Sequence, residues 1–531
     1  MTDWSPVDLL PALWVGALGA ALAWALRRGY DAVPGRVLAV FVAVLLALFA
    51  PVLFGGKVLL PLNASQAAVR EAVDQGRWPL WNRRAGAGMP LLADPGSQAL
   101  QPLTLLGLPL PLPRAAGFVA ALRVLVALTF SFLWLRRLGL SGGPALAGSL
   151  AYGLGLLIFW VGWPIANVAA FLPVALYSVV RCEEGKDSKD LKDSKDLKDD
   201  RRDGFLLALA VLGLLLGGDP GAVVCALGIL LIFLLDRVRR RPPGMRLALL
   251  RRAGAALLVA AAVSAPAVLP ALRYMPQATA PWSLGSWQWR LPSSEPLRLA
   301  FPKTESLLAV HYGLAIHEPR GFRMAALGDV LPPNLAGLYD MADARIYGPM
   351  APRAYVEFTK PIAAGSPDDP LYQRLGVRYL LTPLDAQLPA PWARIFTDRT
   401  AAVWEEPDAL PLFFLATPNP AGGVLTQTIE DTRISGVAQL RRRQWLGTSV
   451  YQDGGWLLLL NRGRHRTVLD SGTFVAARLP PGASRLDLLY RPAAFVWGWV
   501  IAALGAVAGV MVCVPRPSTA PAAPPPPAMP G

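Results

Sequence analysis

The chain has 531 residues, of which 54% are hydrophobic and only 16% are charged, whereas a soluble globular domain carries roughly 25% charged residues. This composition excludes a disordered chain and an ordinary soluble enzyme, and it predicts a multi-pass membrane protein. The formal net charge is +15, but the basic residues flank apolar segments and do not cluster with aromatic residues. We therefore interpret them as topology signals and predict no nucleic-acid binding.

Apolar windows about long enough to cross a hydrocarbon core predict about nine transmembrane helices. The first window follows Asp3 and Asp8 and lacks a basic segment before it, so we expect it to be retained and not cleaved as a signal peptide. The flanking arginines fall on one side if the N-terminus is outside, which predicts a bacterial inner (cytoplasmic) membrane protein with two long extracytoplasmic segments. The windows are residues 9–26, 37–55, 115–135, 144–162, 166–181, 204–218, 221–236, 253–271 and 493–514.

The predicted fold is an all-α membrane bundle with an extracytoplasmic mixed α/β and β-sandwich-like region. Short β-prone runs closed by Pro, Gly, Asn or Asp, such as RLGVRYLLTP and GTSVYQDGGW, indicate the strands of that region. A repeated KDSKDL hexamer predicts a solvated linker, and the Pro-rich end predicts a disordered tail. The predicted units are residues 1–55 (transmembrane hairpin), 56–114 (first outer loop), 115–271 (bundle, with a charged linker at 182–203), 272–491 (outer α/β plus β-sandwich-like domain), 492–514 (last helix) and 515–531 (tail).

The first outer loop carries the residues with the clearest chemistry. A carboxylate beside cations at a membrane face is suited to remove a proton from an acceptor hydroxyl and to hold a lipid phosphate. The candidate bases are Asp94 and Asp74, although Asp94 in ADPG also fits a plain Asx turn and the arginines also fit snorkelling to lipid headgroups. The candidate binding residues are Trp78 and Trp81, which we expect either to lie at the membrane interface or to stack on a sugar, with Asn82, Arg83, Arg84, Asn63 and Arg77.

Elsewhere the chemical signals are weaker. Asp219, in the GGDPG turn between two windows, is an ionisable residue at the membrane boundary and fits either a functional site or a simple turn. The three histidines and three cysteines lack metal-ligand spacing. No GxSxG elbow, Walker A loop or GxGxxG fingerprint is present, so we predict no nucleotide chemistry and no cofactor, with a divalent metal left open.

Several blocks of the sequence resemble a known family. The segment WPLWNRRAGAGMPLLADPGSQALQP, Trp78 to Pro102, is similar to the hallmark loop of YfhO-type bacterial membrane proteins, which belong to the GT-C superfamily of polyprenyl-phosphate-sugar-dependent glycosyltransferases. The chain is short for that family, because it passes from Arg273 almost directly into GDVLPPN, where a second group of spans usually lies. The further blocks, in the family's order, are Leu135 to Leu154, Gly328 to Met350, Leu375 to Pro383, and Tyr451 to Trp456 with Phe474 to Pro492.

The resemblance implies a GT-C-like bundle and an inverting transferase. Its donor would be a polyprenyl-phosphate-linked sugar, and its acceptor an envelope glycan or glycoprotein on the extracytoplasmic side. An Asp of the first outer loop would act as base, but Asn63 occupies the usual acidic position, and an amide cannot be a general base. Either Asp94 or Asp74 takes that role, or the protein is a non-catalytic membrane protein whose outer domain binds glycan or an envelope-assembly partner. A transporter is disfavoured because no paired discontinuous spans are visible.

Overall fold

The structure is a computed structural model that describes residues 31–54, 57–60, 62–156, 160–184, 194–280, 293–296, 304–317, 321–363, 365–415, 423–465, 468–470 and 473–513. The predicted span at residues 9–26 and the tail at 515–531 lie outside the described residues. The helices are α1 (Gly35–Leu53), α2 (Ala64–Asp74), α3 (Pro102–Leu106), α4 (Leu112–Arg137), α5 (Gly142–Leu150), α6 (Ile165–Glu184), α7 (Ser194–Leu215), α8 (Pro220–Arg239), α9 (Pro243–Tyr274), α10 (Glu305–Ile316), α11 (Arg353–Phe358), α12 (Lys360–Ala363), α13 (Leu371–Arg374) and α14 (Ala493–Cys513).

The strands complete the list of elements. They are β1 (Lys57–Leu60), β2 (Trp81–Asn82), β3 (Met89–Pro90), β4 (Ser293–Pro296), β5 (Arg323–Ala326), β6 (Val377–Thr382), β7 (Ala393–Thr397), β8 (Ala402–Glu405), β9 (Phe413–Leu415), β10 (Gly423–Ile429), β11 (Arg433–Leu440), β12 (Gln444–Tyr451), β13 (Trp456–Leu460), β14 (Gly463–His465), β15 (Val468–Asp470), β16 (Phe474–Leu479) and β17 (Gly482–Tyr490). All described strands lie in the parts of the chain predicted to be outside the membrane.

Helices predicted from apolar windows form the bundle. Within the described residues five are long and apolar enough to cross a membrane, and they support a multi-pass membrane protein: Gly35–Leu53, Leu112–Arg137, Ile165–Glu183, Pro220–Arg239 and Met245–Gln277. Helices α7 and α14 contribute shorter apolar stretches, and α5 continues into a π-helical turn, Ala151–Leu156. The count of nine spans stays a prediction.

Small residues let the last helix pack closely against α9. A Cβ atom at Gly498 would approach the carbonyl oxygen of Ala265 to 2.7 Å, and one at Gly505 would overlap the side chain of Ala262. Glycines on one face remove the side chains that would hold the two backbones apart, which is a common basis of helix association in membranes. Helices α9 and α14 therefore form a tight pair, although residues 275–492 separate them in sequence.

The two ends of the bundle differ in charge. At one end, buried Glu183 lies between Arg237 and Arg241, and Arg181 pairs with Asp203 at 3.0 Å. Helix α7 begins there at Ser194, inside the segment predicted as a linker. The opposite end carries the strands, and we call it the sheet-bearing end; it comprises residues 54, 57, 160–164, 216–219, 275–280 and 491–493.

Beyond the two-stranded pairs β1–β4 and β2–β3, the described strands form a mixed sheet and two antiparallel sheets. The four-stranded mixed sheet has the order β5-β6-β8-β7, with β5 and β6 parallel. The other two, β10-β11-β17-β13-β14 and β15-β16-β12-β9, bury one face each in a shared hydrophobic cluster that includes Leu446, Leu458 and Leu488. An α/β region followed by a β-sandwich is the arrangement expected from the short β-prone runs.

The first loop is inserted between the bundle and the sheets. Trp78 contacts Phe495 and Trp499 of α14, with ring centroids 5.4 and 5.0 Å away. Three residues later, Trp81 packs against Trp456 and Tyr490 of the sandwich. Because one tryptophan belongs to each hydrophobic core, the loop fixes the sandwich relative to the membrane helices.

Gly88 offers a test of this packing. It has φ +89°, and a Cβ there would overlap the indole of Trp81. We expect Gly88→Ala to destabilise the protein by about 1–3 kcal/mol from backbone strain and by about 1–3 kcal/mol more from overpacking. The matched control is Gly482→Ala, which has φ +102° but open space around the Cβ. Thermal unfolding in detergent measures both variants; equal losses of stability would contradict the proposed packing.

Candidate functional site

A cavity of about 970 Å³ lies between the sheet-bearing end of the bundle and the segment that contains GDVLPPN. This volume is typical of pockets that hold small organic ligands. Its floor is formed where the candidate spans α6 and α8 begin, so a lipid-linked group entering from the membrane surface would reach it. The polar and aromatic side chains that line it are Asn63, Ser65, Asn82, Arg84, Asp94, Trp160, Trp163, Asp219, Thr279, Asn334 and Tyr347.

Asp94 lies in the wall of this cavity. Its Oδ1 accepts a hydrogen bond from the backbone N–H of Gly96 at 2.9 Å and caps the short 3₁₀ helix Pro95–Ser97, so the Asx turn is present. Among the described residues no hydrogen bond or ion pair reaches its Oδ2. Desolvation by burial raises the pKa of Asp94 to about 6, although the Gly96 hydrogen bond opposes the rise. A carboxylate with one open oxygen and a pKa near neutrality is suited to general-base chemistry.

A buried polar network holds the Asp94 loop, residues 91–101, against the bundle. Arg123 is 4% exposed in the middle of α4. It donates to Gln98 Oε1 at 2.7 Å, to Asn167 Oδ1 at 2.8 Å and to the carbonyl oxygen of Val161 at 2.7 Å. Asn167 also donates to Gln98 Oε1 at 2.9 Å. Because Gln98 follows the 3₁₀ turn directly, this network ties the loop that carries Asp94 to α4 and α6.

Arg84 and Asn82 face the cavity from the β2–β3 hairpin. Arg84 forms ion pairs with Glu71 of α2 and with Asp340, so part of its charge is already neutralised. Asn82 Oδ1 accepts the backbone N–H of Arg84 at 3.0 Å. Within the described part of the chain its Nδ2 has no acceptor, which leaves it as a hydrogen-bond donor for a ligand in the cavity.

Asn63 and Asp219 reach the cavity from two helix N-termini. Asn63 caps α2 through Ser65, and its Nδ2 donates to the carbonyl oxygen of Gly96 at 2.7 Å. Its amide therefore supports the turn that presents Asp94. Asp219 caps α8, and burial raises the pKa of its carboxyl group. The described residues contain no group of three or more His, Cys, Asp or Glu positioned to hold a metal ion.

The other predicted site residues lie outside the cavity lining. Asp74 is exposed at the end of α2, and Arg77 and Arg83 pair with Glu430 and Asp431 of the sandwich at 3.1 and 3.3 Å. Trp78 and Trp81 are 5% and 2% exposed, respectively. Their rings are buried against other aromatic side chains, so the structure places these two tryptophans where they cannot stack on a sugar in the cavity.

Several lining or supporting residues were not predicted from the sequence, among them Trp163, Tyr347 and Arg123. Trp163 and Tyr347 line the cavity with exposures of 43% and 72%, and neither has a local motif that marks it. Arg123 did have a signal, because it is the one charged residue in an otherwise apolar window, and an intramembrane ionisable residue is a default functional candidate. Its partners come from distant segments and could not be read from spacing.

Comparisons with known proteins give limited information. No family model matches the sequence, and no curated protein is a significant match. Two solved structures, both of the arabinofuranosyltransferase AftD from Mycobacteria, one of them a mutant, are similar with TM-scores of 0.47 and 0.46 and 12% sequence identity. Each similarity covers 87% of this chain. This chain spans 57% of the length of the first AftD chain and 60% of the length of the second. The YfhO-type resemblance stays a prediction.

Arg123 gives the test of how the loop is held. We expect Arg123→Met to lower the free energy of unfolding by about 3 kcal/mol, because Asn167 Oδ1 and the carbonyl oxygen of Val161 lose this buried donor and Gln98 Oε1 loses one of its donors. Arg123→Lys restores one donor and should be intermediate. The control is Arg136→Met on the same helix, where the side chain is exposed and donates only to Leu140. Thermal unfolding in detergent distinguishes the variants, and similar midpoints for Arg123→Met and Arg136→Met would refute the role of the network.

Proposed function

We propose that the protein is a membrane glycosyltransferase that moves a sugar from a polyprenyl-phosphate donor to a hydroxyl of an envelope acceptor, with the chemistry in this cavity. The observation that carries the proposal is Asp94, a carboxylate with one open oxygen and a pKa of about 6 in a ligand-sized cavity. The cavity lies at the N-terminal ends of two candidate spans, α6 and α8. A donor whose lipid stays among the helices would present its phosphate and sugar there.

In the proposed reaction, Asp94 Oδ2 accepts the proton of the acceptor hydroxyl as that oxygen bonds to the anomeric carbon of the donor sugar. The bond from the anomeric carbon to the phosphate oxygen breaks, and its electron pair leaves with the polyprenyl phosphate. Attack from the face opposite the leaving group inverts the anomeric configuration. The products are the glycosylated acceptor, the lipid phosphate and a protonated Asp94, which returns its proton to water.

The developing phosphate charge needs hydrogen-bond donors at the cavity wall. Arg84 and Asn82 supply a guanidinium group and an amide from the same hairpin, and donors placed where charge develops stabilise a transition state. Arg83, a sequence candidate for this role, has no part in it because it pairs with Asp431. We assign sugar stacking to Trp163 and Tyr347, the exposed aromatic residues of the lining, in place of Trp78 and Trp81.

One observation favours the alternative of a non-catalytic glycan-binding protein. Among the described residues, Arg84 is the cationic side chain that lines the cavity. It is already paired with two carboxylates, and this pairing weakens its attraction for a phosphate. A binder would keep its ligand when Asp94 is neutralised, and no product would form in wild type. The comparison of wild type with Asp94→Asn therefore separates the two functions.

The first test replaces the proposed base. Asp94→Asn keeps the acceptor for the Gly96 N–H but cannot take up a proton, so we expect at least about a 100-fold loss of transfer. Envelope glycans from cells lacking the gene and complemented with each variant would be compared by mass spectrometry. Asp74→Asn is the matched control because Asp74 is exposed and outside the lining. Full restoration of the glycan by Asp94→Asn would rule out Asp94 as the base.

The pKa of Asp94 sets the pH dependence of the same reaction. A base with a pKa of about 6 is about one-tenth ionised at pH 5 and about nine-tenths ionised at pH 7, so transfer in membranes from complemented cells should rise through pH 6. The raised pKa also means that the folded state binds this proton more tightly than the unfolded state. The contribution of Asp94 to the free energy of unfolding therefore falls as the pH rises from about 4 to about 6. Asp94→Asn should then unfold at no lower temperature than wild type at pH 7.5, which excludes misfolding as the cause of lost transfer.

The aromatic pair is tested separately. Trp163→Ala and Tyr347→Ala should each reduce transfer about 3- to 10-fold, since an aromatic stacking contact contributes about 0.5–1.5 kcal/mol. Tyr312→Ala removes a tyrosine of similar exposure, 63%, from α10 outside the lining and should leave transfer unchanged. Initial rates in the same membranes give the comparison, and an equal effect of all three substitutions would argue against a sugar platform.

A further inference from the structure

One end of the β-sandwich leads into α14, and the other end lies at the opposite termini of the same strands. Strand β17 runs from Gly482 to Tyr490 and continues almost directly into α14. Its antiparallel neighbour β11 pairs Arg433 with Leu489 and Leu440 with Gly482. At about 3.3 Å per residue, the Leu440 end is about 26 Å from the Tyr490 end. We call this end the distal tip, comprising Arg441, Arg442, Arg443, Trp445 and Arg478.

The distal tip carries three adjacent positive charges. Arg441, Arg442 and Arg443 are consecutive and exposed in the turn between β11 and β12. In the part of the chain that the structure describes, none of these three forms an ion pair. The one carboxylate on strands β11, β12, β16 and β17 is that of Asp487, which lies in the middle of the sheet and pairs with Arg433 and Arg485 at 3.0 and 3.3 Å.

An exposed tryptophan lies beside these arginines. Trp445 is 46% exposed and is paired directly with Arg478 in the β12–β16 register. The flanking residues Gln444 and Leu446 are buried, so Trp445 projects from the outer face of the sheet. Aromatic and arginine side chains together are characteristic of recognition surfaces, because each contributes a large planar contact with a polar edge.

We infer that the distal tip is a docking surface for an acidic polysaccharide. Guanidinium groups bind carboxylate and phosphate groups with two parallel hydrogen bonds, and three consecutive arginines match an anion that recurs along a chain. The indole of Trp445 adds a flat apolar surface for the face of a sugar ring. This inference does not depend on the proposed transfer reaction.

The experiment uses the full chain in nanodiscs of zwitterionic lipid, with oligogalacturonate of about ten sugars as the probe. We expect saturable binding that weakens with added salt, and at least about 10-fold weaker binding for Arg441→Ser/Arg442→Ser. The matched control is Arg399→Ser/Arg462→Ser, which removes two exposed arginines from other turns and should change the Kd less than about 2-fold. Unaltered thermal unfolding of both double variants shows that the fold is intact.

Further probes test the identity of the ligand. Polyglutamate and a single-stranded oligonucleotide of matched charge should bind more weakly than oligogalacturonate, and Trp445→Ala should weaken oligogalacturonate binding but not polyglutamate binding. Equal losses of oligogalacturonate affinity in the two double variants would show that only net charge matters, and they would overturn the inference of a docking surface at the distal tip. Polyglutamate or oligonucleotide binding as tight as that of oligogalacturonate would overturn the polysaccharide assignment. None of these results depends on whether transfer occurs.

Discussion

The arrangement of the molecule depends on the burial of one loop between two hydrophobic cores. Trp78 enters the core of the bundle, and Trp81, three residues later, enters the core of the sandwich. A loop that is anchored in both cores cannot move without exposing these two indole rings. The burial of each ring contributes several kcal/mol to stability. The cavity wall that carries Asn82, Arg84 and Asp94 is therefore fixed by packing that lies outside the cavity itself.

Polar contacts set the finer position of Asp94. The Gly96 N–H fixes one carboxylate oxygen, Asn63 holds the carbonyl oxygen of Gly96, and Arg123 anchors Gln98 from inside the bundle. The Asx turn and the functional role, which are alternatives when only the sequence is considered, are compatible because they use different oxygens of the same carboxylate. The burial that raises the pKa of Asp94 costs stability when the group is ionised, and buried polar groups of this kind are retained where function requires them.

Two regions at and beyond the sheet-bearing end of the bundle have opposite electrostatic character. In the cavity, the charge of Arg84 is balanced by Glu71 and Asp340, and the wall is mainly apolar with two further carboxylates. At the distal tip, three consecutive arginines lie in open solvent. A cavity lined mainly by apolar groups and amides suits a sugar, whereas an uncompensated basic turn suits a repeating anion. The two surfaces would thus engage ligands of different size and charge.

The sequence by itself determined the apolar helices, the strand-rich segments and the loop that carries Asp94, because hydrophobic periodicity, turn residues and charge are local properties of the chain. Only the tertiary structure decided which residues of that loop face the cavity. Trp78, Trp81, Arg77 and Arg83 resemble ligand-binding residues in sequence, yet their partners lie more than 340 residues away in the sandwich and α14. Arg123, Trp163 and Tyr347 likewise reach the site from segments that are far apart in sequence. Contacts between such segments depend on how the cores pack, and local spacing does not reveal them.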